Sequence, residues 1–216
     1  AAADELARLL PVLEALLPLG LPISVDTTKP AVMQAAIAQG AAMVNDVRAL
    51  GEPGALATVA ASQAAVCLMH MQGEPRTMQA APHYADVVGE VRAFLAGRIA
   101  ACRAAGIDAA RIVVDPGFGF GKTVAHNLTL LGNLAALTDL GVPVLTGLSR
   151  KSTLGKVTGR APEERLAASV AAALMAVERG ARIVRVHDVA PTRDAIAIWS
   201  AVRTAPGVPP PVSPDP

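Results

Sequence analysis

Six apolar segments of strand-like length recur along the chain, and a helical pattern follows each of them. An apolar run without alternating polar residues indicates a strand that is buried on both faces. Strands of this kind, each followed by a helix, predict a parallel sheet covered by helices. A closed (β/α)8 barrel and an open doubly wound sheet both meet this description. The six segments span residues 22–26, 42–47, 65–71, 111–115, 144–148 and 182–186.

The number of strands is smaller than a barrel requires. A (β/α)8 barrel has eight strands and typically about 250 residues. This chain has 216 residues and opens with a helical pattern over residues 4–17, not with a strand. If the fold is a barrel, we expect its first two strands and its first helix to be absent from this sequence. We predict one barrel domain over residues 1–203 and a disordered, proline-rich tail over residues 204–216.

Composition and charge argue against several classes of protein. Hydrophobic residues make up 52% of the chain, which indicates a large core. The formal net charge of +1 gives no indication of a nucleic-acid partner or an anionic membrane. The longest apolar stretch, residues 166–177, is too short to span a bilayer, which needs roughly 20 residues. Cys67 and Cys102 alone imply no disulfide framework, so we expect a cytoplasmic protein.

Polar residues lie at the carboxyl ends of five of the six predicted strands. These ends meet at one edge of a parallel sheet, where both candidate architectures place their functional sites. The simpler interpretation of any single one is a helix cap or a turn residue. As a set they predict a site at this edge. The five residues are Asp26, Asn45, His70, Asp115 and His187.

A glycine-rich loop over residues 115–123 follows the fourth strand. Two of the three phenylalanines in the chain, Phe118 and Phe120, lie there between glycines. Exposed aromatic rings on such a loop are suited to covering a flat ligand. Three residues separate Gly117 from Gly121 where a nucleotide-binding P-loop needs four, so we reject a nucleoside triphosphatase. No G-x-G-x-x-G motif follows the first strand, which disfavours a dinucleotide-binding protein.

Positive and hydroxyl groups follow the last two strands, in residues 149–153 and 185–188. Such groups, gathered at neighbouring strand ends, can hold a phosphate or a carboxylate. Arg185 interrupts an apolar strand, where an unpaired arginine should not be buried. Acids and an amide on one side, with cations on the other, predict a flat heterocycle that carries a phosphate ester. No His, Cys or Asp cluster has the spacing of a metal cage.

Taken in order along residues 4–203, the motifs resemble the dihydropteroate synthase family. The resemblance implies a (β/α)8 barrel of which this chain contains six strands. It also implies the family reaction, in which 6-hydroxymethyl-7,8-dihydropterin diphosphate and p-aminobenzoate give 7,8-dihydropteroate and diphosphate in folate biosynthesis. The motifs are Ile23-Ser24-Val25-Asp26-Thr27, Val44-Asn45-Asp46-Val47, Cys67-Leu68-Met69-His70-Met71-Gln72-Gly73, residues 115–122, Ser149-Arg150-Lys151-Ser152 and Arg185-Val186-His187-Asp188-Val189.

The resemblance implies roles for ten residues, four of which are the catalytic candidates. It implies hydrogen bonds from the pterin edge to Asp26, Asn45 and Asp115, with Met69 against one ring face and Arg185 over the other. The p-aminobenzoate site, where sulfonamides compete in the family, would be bordered by Gly119, Phe120, Ser149 and Lys151. The catalytic candidates are Asp115, Lys151, Arg185 and His187, and the last two would also face the diphosphate.

The resemblance further implies Mg²⁺ as cofactor and a homodimer formed through the last helices. The expected metal ligand lies in a segment of the family that precedes Ala1, so we assign no metal ligand in this sequence. Two further strand-end loops of the family would also precede Asp4, and we therefore expect the 216-residue chain alone to be inactive.

Other functions fit part of the pattern. A methyltetrahydrofolate-type methyltransferase domain would share the pterin-binding Asp and Asn but would need no anion-binding Arg185 and His187. A catalytically inactive synthase paralogue and a non-catalytic pterin-binding scaffold are further alternatives. Binding of pterin diphosphate without product formation would identify the scaffold.

Overall fold

The computed structural model describes residues 1–74 and 77–207. Within these ranges, six strands alternate with helices, which confirms the predicted α/β organisation. The last helix continues to Thr204, the first residue of the predicted tail, and residues 208–216 lie outside the described residues. In chain order the elements are α1 (Ala2–Leu16), β1 (Ser24–Asp26), α2 (Pro30–Gln39), β2 (Met43–Asp46), α3 (Ala55–Ala60), β3 (Ala65–Met69), α4 (Val87–Ala104), β4 (Ile112–Asp115), α5 (Val124–Gly132), β5 (Leu145–Thr146), α6 (Ser152–Thr158), α7 (Leu166–Glu178), β6 (Ile183–Val184) and α8 (Val189–Thr204).

The strands lie side by side in the order in which they occur along the chain. β1 to β4 form one parallel sheet, and β5 pairs in parallel with β6. A parallel bridge between Val114 and Val144 connects β4 to the start of β5. A doubly wound sheet reverses its strand order at a switch point. The described strands show no such reversal, so the order is that of a barrel wall.

Helices cover the outer face of this wall and form the main core. Val44, Val66 and Val114 point outward from three neighbouring strands and are fully buried against the helices. Leu95 of α4 and Leu130 of α5 are equally buried in the same cluster. The inward face carries a second, smaller apolar cluster. Apolar layers on both faces explain why the strand segments are continuously apolar in sequence.

Two helical segments differ from what the sequence pattern indicates. The pattern predicts a helix over residues 126–140, but the α-helix ends at Gly132, and a 3₁₀ segment, Leu134–Leu140, follows it. The sequence did not indicate α6, where Gly155 weakens the helical pattern. The absence of a Cβ at this glycine leaves the space that the Arg165 guanidinium occupies. Within residues 1–74 and 77–207, each helix is too short or too polar to cross a membrane.

A left-handed turn follows β2. Ala49 and Leu50 have φ values of 50° and 59°, which are unfavourable for residues with a side chain. The buried Asp46 carboxylate accepts hydrogen bonds of 2.8 Å from the backbone N–H groups of Arg48 and Leu50. Arg98 of α4 donates to the carbonyls of Ala49 and Leu50, at 2.7 and 3.0 Å. These charge-assisted bonds fix the backbone immediately after the strand end.

Helix α5 provides a direct test of the core. Leu130 is fully buried, whereas Leu128 on the same helix is 46% exposed. Because Leu130→Ala leaves a cavity, we expect it to lower the free energy of unfolding by about 2–5 kcal/mol. We expect Leu128→Ala to change it by about 0.5 kcal/mol or less. Urea-induced unfolding measures both values, and equal losses in the two variants would contradict the packing described above.

Candidate active site

Four polar side chains form one continuous network at the carboxyl ends of the strands. Asn45 donates from its Nδ2 to Asp26, at 2.9 Å. Arg185 donates from Nη1 to the Oδ1 of Asn45, at 2.9 Å, and from Nη2 to Asp115, at 2.8 Å. The orientation of the Asn45 amide follows from this network, since a carboxylate only accepts and a guanidinium only donates.

Strand register brings these residues together. Asp26 pairs with Asn45 across β1 and β2, and Met69 pairs with Asp115 across β3 and β4. Cys67, two residues before Met69, pairs with Asn45. Side chains in register on parallel strands point to the same face of the sheet. All five side chains therefore point to the inward face of the wall.

The floor beneath the network is apolar. Cys67, Val113 and Leu145 are buried and pack together on the inward face, with Met43 against them. Each lies on a strand below the polar residues at the strand ends. An apolar floor with a few polar groups at its rim is the usual form of a small-molecule site.

A second group of polar residues lies at the ends of β5 and β6. Ser149 Oγ accepts a hydrogen bond from the backbone N–H of His187, at 3.2 Å, and lies 3.0 Å from its Nδ1. Lys151 donates to the carbonyl of Phe118, and its Nζ lies 4.8 Å from the centre of the Phe120 ring. Ser149, Lys151, Arg185 and His187 line a common cavity of about 260 Å³.

Burial within the site shifts two pKa values, and neighbouring charges modify both shifts. Burial lowers the pKa of Lys151 to about 8; the Arg185 charge acts in the same direction and Asp115 opposes it. Desolvation by the surrounding protein raises the pKa of Asp26, while Arg185 and Asn45 oppose the shift. Lys151 is therefore mostly protonated at neutral pH and available to an anionic ligand.

Comparisons with known proteins decide the family. The protein-family model described as "Pterin binding enzyme" matches residues 1–187 of the sequence. The dihydropteroate synthase of Haemophilus influenzae is 49% identical over 203 residues, which cover 94% of this chain and 74% of that protein. The chain belongs to the dihydropteroate synthase family.

Solved structures of dihydropteroate synthases confirm the barrel. That of Xanthomonas albilineans in complex with 7,8-dihydropteroate is 54% identical, with a TM-score of 0.90 over 95% of this chain and 78% of that one. The structure of the same enzyme with 4-aminobenzoic acid is 55% identical in sequence and has a TM-score of 0.91. The match covers 95% of this chain and 74% of that one. The Yersinia pestis enzyme with a sulfonamide drug is 44% identical in sequence and has a TM-score of 0.92. The match covers 94% of this chain and 75% of that one. The chain spans about three quarters of each of these relatives.

Relative to the site expected for a dihydropteroate synthase, the structure brings most of the predicted residues together. The pterin-edge residues Asp26, Asn45 and Asp115 share one network, and Met69 lies in register beside Asp115. The prediction that acids and cations lie on opposite sides of the site is wrong for Arg185, whose guanidinium binds Asn45 and Asp115. The Asp115 carboxylate compensates the charge of Arg185 within the otherwise apolar strand region. Ser149, Lys151 and His187 line the neighbouring cavity, and Gly119 and Phe120 lie against the Lys151 side chain.

Two expectations about the loops need correction. Phe118 is 1% exposed and belongs to the core, so it is Phe120 alone that can reach a ligand from this loop. Arg150 was predicted to join an anion site, but its guanidinium makes two hydrogen bonds with Asp188, at 3.0 and 2.6 Å. Arg150 therefore ties the loop after β5 to the loop after β6. Sequence spacing gave no sign of which of the neighbouring cations would face the pocket.

The sequence interpretation missed two residues that shape the site. Gly147 in the loop after β5 is required because a Cβ there would lie 2.8 Å from Arg185 Nη2. Lys122 is 3% exposed and forms a buried contact with His70. The sequence signal for Lys122 is its position at the end of a glycine-rich loop, which does not by itself distinguish a buried lysine from an exposed one.

The pair Arg150–Asp188 gives a pH-dependent prediction. Hydrogen bonds from Arg150 lower the pKa of Asp188 below its ordinary value of 3.8. A lowered carboxylate pKa stabilises the fold above the unfolded-state pKa, and this contribution disappears as pH falls through the folded-state pKa. We expect Asp188→Asn to reduce the free energy of unfolding at pH 7 and to reduce it progressively less toward pH 3. Urea unfolding across this range tests the sign. The exposed Asp139→Asn is the control, and a deficit that stays constant with pH would contradict the assignment.

Proposed function

We propose that the residues of the network and cavity described above perform the dihydropteroate synthase reaction in a protein that also supplies the two strand-end loops expected before Asp4. The observation that carries this proposal is the linked set Asp26–Asn45–Arg185–Asp115 above an apolar floor. The reaction joins 6-hydroxymethyl-7,8-dihydropterin diphosphate to p-aminobenzoate. Its product is the ligand of the Xanthomonas albilineans relative, and its second substrate is the ligand of the same enzyme in another structure.

The network matches the hydrogen-bonding edge of a pterin. That edge presents amino and ring N–H donors, which the carboxylates of Asp26 and Asp115 can accept. Asn45 has both a donor and an acceptor, so it can read a ring position of either kind. Asp115 is completely buried, and its fixed position gives directional recognition. We place the pterin against Met69 and the apolar floor, with its edge toward these three residues.

The chemistry is a substitution at the methylene carbon of the pterin. Cleavage of its C–O bond transfers the electron pair to the departing diphosphate and leaves positive charge delocalised over the pterin. The carboxylates of Asp26 and Asp115 stabilise this cation, while Arg185 and His187 stabilise the diphosphate. The amine nitrogen of p-aminobenzoate then forms the new C–N bond and loses a proton. A strong general base is unnecessary because the electrophile is cationic.

The p-aminobenzoate site lies beside Lys151. The Lys151 ammonium can bind the benzoate carboxylate, and Phe120, whose ring already contacts that ammonium, can cover the aromatic ring. Gly119 and Ser149 complete this side of the pocket. The Yersinia pestis relative was solved with a sulfonamide drug, and we propose that sulfonamides compete with p-aminobenzoate here as well.

The positive groups favour a synthase over a methyltransferase. Arg185, His187 and Lys151 border one cavity of about 260 Å³ together with Ser149. A diphosphate leaving group requires such a concentration of donors. A methyl group carried on a neutral pterin does not, and the relatives reported above are dihydropteroate synthases.

We propose Mg²⁺ as the cofactor of the reaction, as the family resemblance implies. Among the described residues, no group of three or more His, Cys, Asp or Glu side chains could hold a metal ion. Asp115 and Asp26 are already engaged by Arg185 and Asn45. The residues in hand therefore do not fit a metal site, and we assign no step of the reaction on this chain to the metal.

We also propose a cytoplasmic homodimer. Three exposed apolar side chains on α8, Val189, Ile198 and Val202, support an interface at the last helix. Cys67 and Cys102 are buried free thiols, which agrees with a reducing compartment.

Asp115→Asn tests the proposed reaction. This change keeps the size of the side chain but removes the carboxylate charge next to the pterin. We expect kcat/KM in the full-length protein to fall by about 100-fold or more, the magnitude seen when one preorganised electrostatic contact is removed. Product formation from pterin diphosphate and p-aminobenzoate is followed by chromatography, with the exposed Asp139→Asn as control. Wild-type protein that forms no dihydropteroate, or an Asp115→Asn variant with normal turnover, would contradict the proposal.

A further inference from the structure

Lys122 is a buried cation at the end of the glycine-rich loop. The residue is 3% exposed, and its ammonium group is turned toward His70 at the end of β3. Its Nζ lies 2.9 Å from His70 Nδ1, 3.0 Å from the Gly117 carbonyl and 3.1 Å from the Phe120 carbonyl. An ammonium has three N–H donors, and here each of them has one acceptor.

His70 is suited to be one of these acceptors. Burial and the neighbouring Lys122 charge lower its pKa to about 3, so the imidazole is neutral at physiological pH. Because Nδ1 faces the Lys122 ammonium, we assign the ring proton to Nε2. His70 follows directly after β3, and its backbone N–H donates to the Asp115 carbonyl at 3.0 Å. The acceptor is thus part of the rigid strand edge.

The loop needs such an anchor because of its glycines. Gly117, Gly119 and Gly121 have φ values of 70°, 80° and 61°, a conformation that glycine adopts readily but does not fix. A Cβ at Gly117 would collide with the His70 carbonyl, and one at Gly121 with the Gln72 carbonyl. The loop therefore lies directly on the backbone after β3. Side chains that could hold it there by packing are absent at these three positions.

Burying the charge of Lys122 is unfavourable, and filling this space in the fold does not require a charged side chain. Burial lowers the pKa of Lys122 to about 7, although the Asp115 charge opposes this shift. An unbranched apolar side chain would occupy a similar volume without the cost of desolvating a charge. Hydrogen bonds to two loop carbonyls are what the ammonium provides in addition.

We propose that Lys122, held by His70, is a positioning residue that sets the location of Phe120 and thereby the affinity for the arylamine substrate. The path is short and continuous. Lys122 holds the Phe120 carbonyl, and the Phe120 ring lies over the Lys151 ammonium. Lys151 in turn donates to the Phe118 carbonyl of the same loop. Asp115 is the pterin-edge residue that contacts this loop, through the Gly117 N–H. It is also held by Arg185 and by the pairing of β3 with β4, so we expect the affinity for pterin to change little when the loop anchor is lost.

Three variants of the full-length protein test the proposal, which rests on the proposed reaction. Lys122→Met removes the donors and keeps an unbranched side chain. His70→Leu and His70→Asn are close in shape, but only Asn retains an acceptor near the position of Nδ1. Steady-state kinetics gives KM for p-aminobenzoate and kcat, and calorimetry gives the Kd of pterin diphosphate. Circular dichroism verifies the fold of each variant.

We expect KM for p-aminobenzoate to rise about 10- to 100-fold in Lys122→Met and in His70→Leu, the effect of losing a hydrogen bond to a charged group. The Kd of pterin diphosphate should change less than about twofold, and His70→Asn should restore KM to near the wild-type value. Equal changes in both constants, or a His70→Leu variant that matches His70→Asn, would overturn the positioning role.

The His70 pair decides the question if Lys122→Met fails to fold. Wild-type protein without dihydropteroate formation would refute the proposed reaction. Normal wild-type turnover with an unaffected KM in the folded variants would refute only the role of Lys122.

Discussion

The contact between Arg185 and Asp115 is the interaction on which the site depends. Asp115 is fully buried, and a buried carboxylate without a partner would cost several kcal/mol. Arg185 supplies the opposite charge at 2.8 Å and remains 42% exposed on its other side. The same guanidinium orients Asn45, which holds Asp26. One cation thus makes it possible for an acidic pocket to exist at the centre of an apolar wall.

The fold supports this contact from several directions. Register between the parallel strands places Asp26 beside Asn45 and Met69 beside Asp115 without any adjustment of loops. Gly147 leaves the space that the Arg185 guanidinium occupies. The turn after β2 is held in a left-handed conformation by Asp46 and Arg98, so the backbone beyond Asn45 is also fixed. The polar groups are therefore preorganised before any ligand binds.

The sequence predicted the strand-end residues because they follow a simple geometric rule. Asp26, Asn45 and Asp115 had to share an edge once the strands were recognised as parallel. The rule does not say where a long side chain goes after it leaves the strand end. Arg150 binds Asp188, and Arg185 binds Asp115. Both partners are distant in sequence, so the sequence pattern does not predict these contacts. The burial of Phe118 and the contact of Lys122 with His70 depend on tertiary packing in the same way.

The apolar floor has a consequence for ligand selection. Cys67, Val113 and Leu145 close the bottom of the proposed pocket, so its depth depends on their volume. Hydrogen bonds at the rim distinguish ligands by the pattern of their donors and acceptors. Discrimination by size, such as one ring against two fused rings, rests instead on three medium-sized side chains at the bottom. The hydrogen-bonding pattern at the rim and the depth of the pocket therefore depend on different residues, which can vary independently.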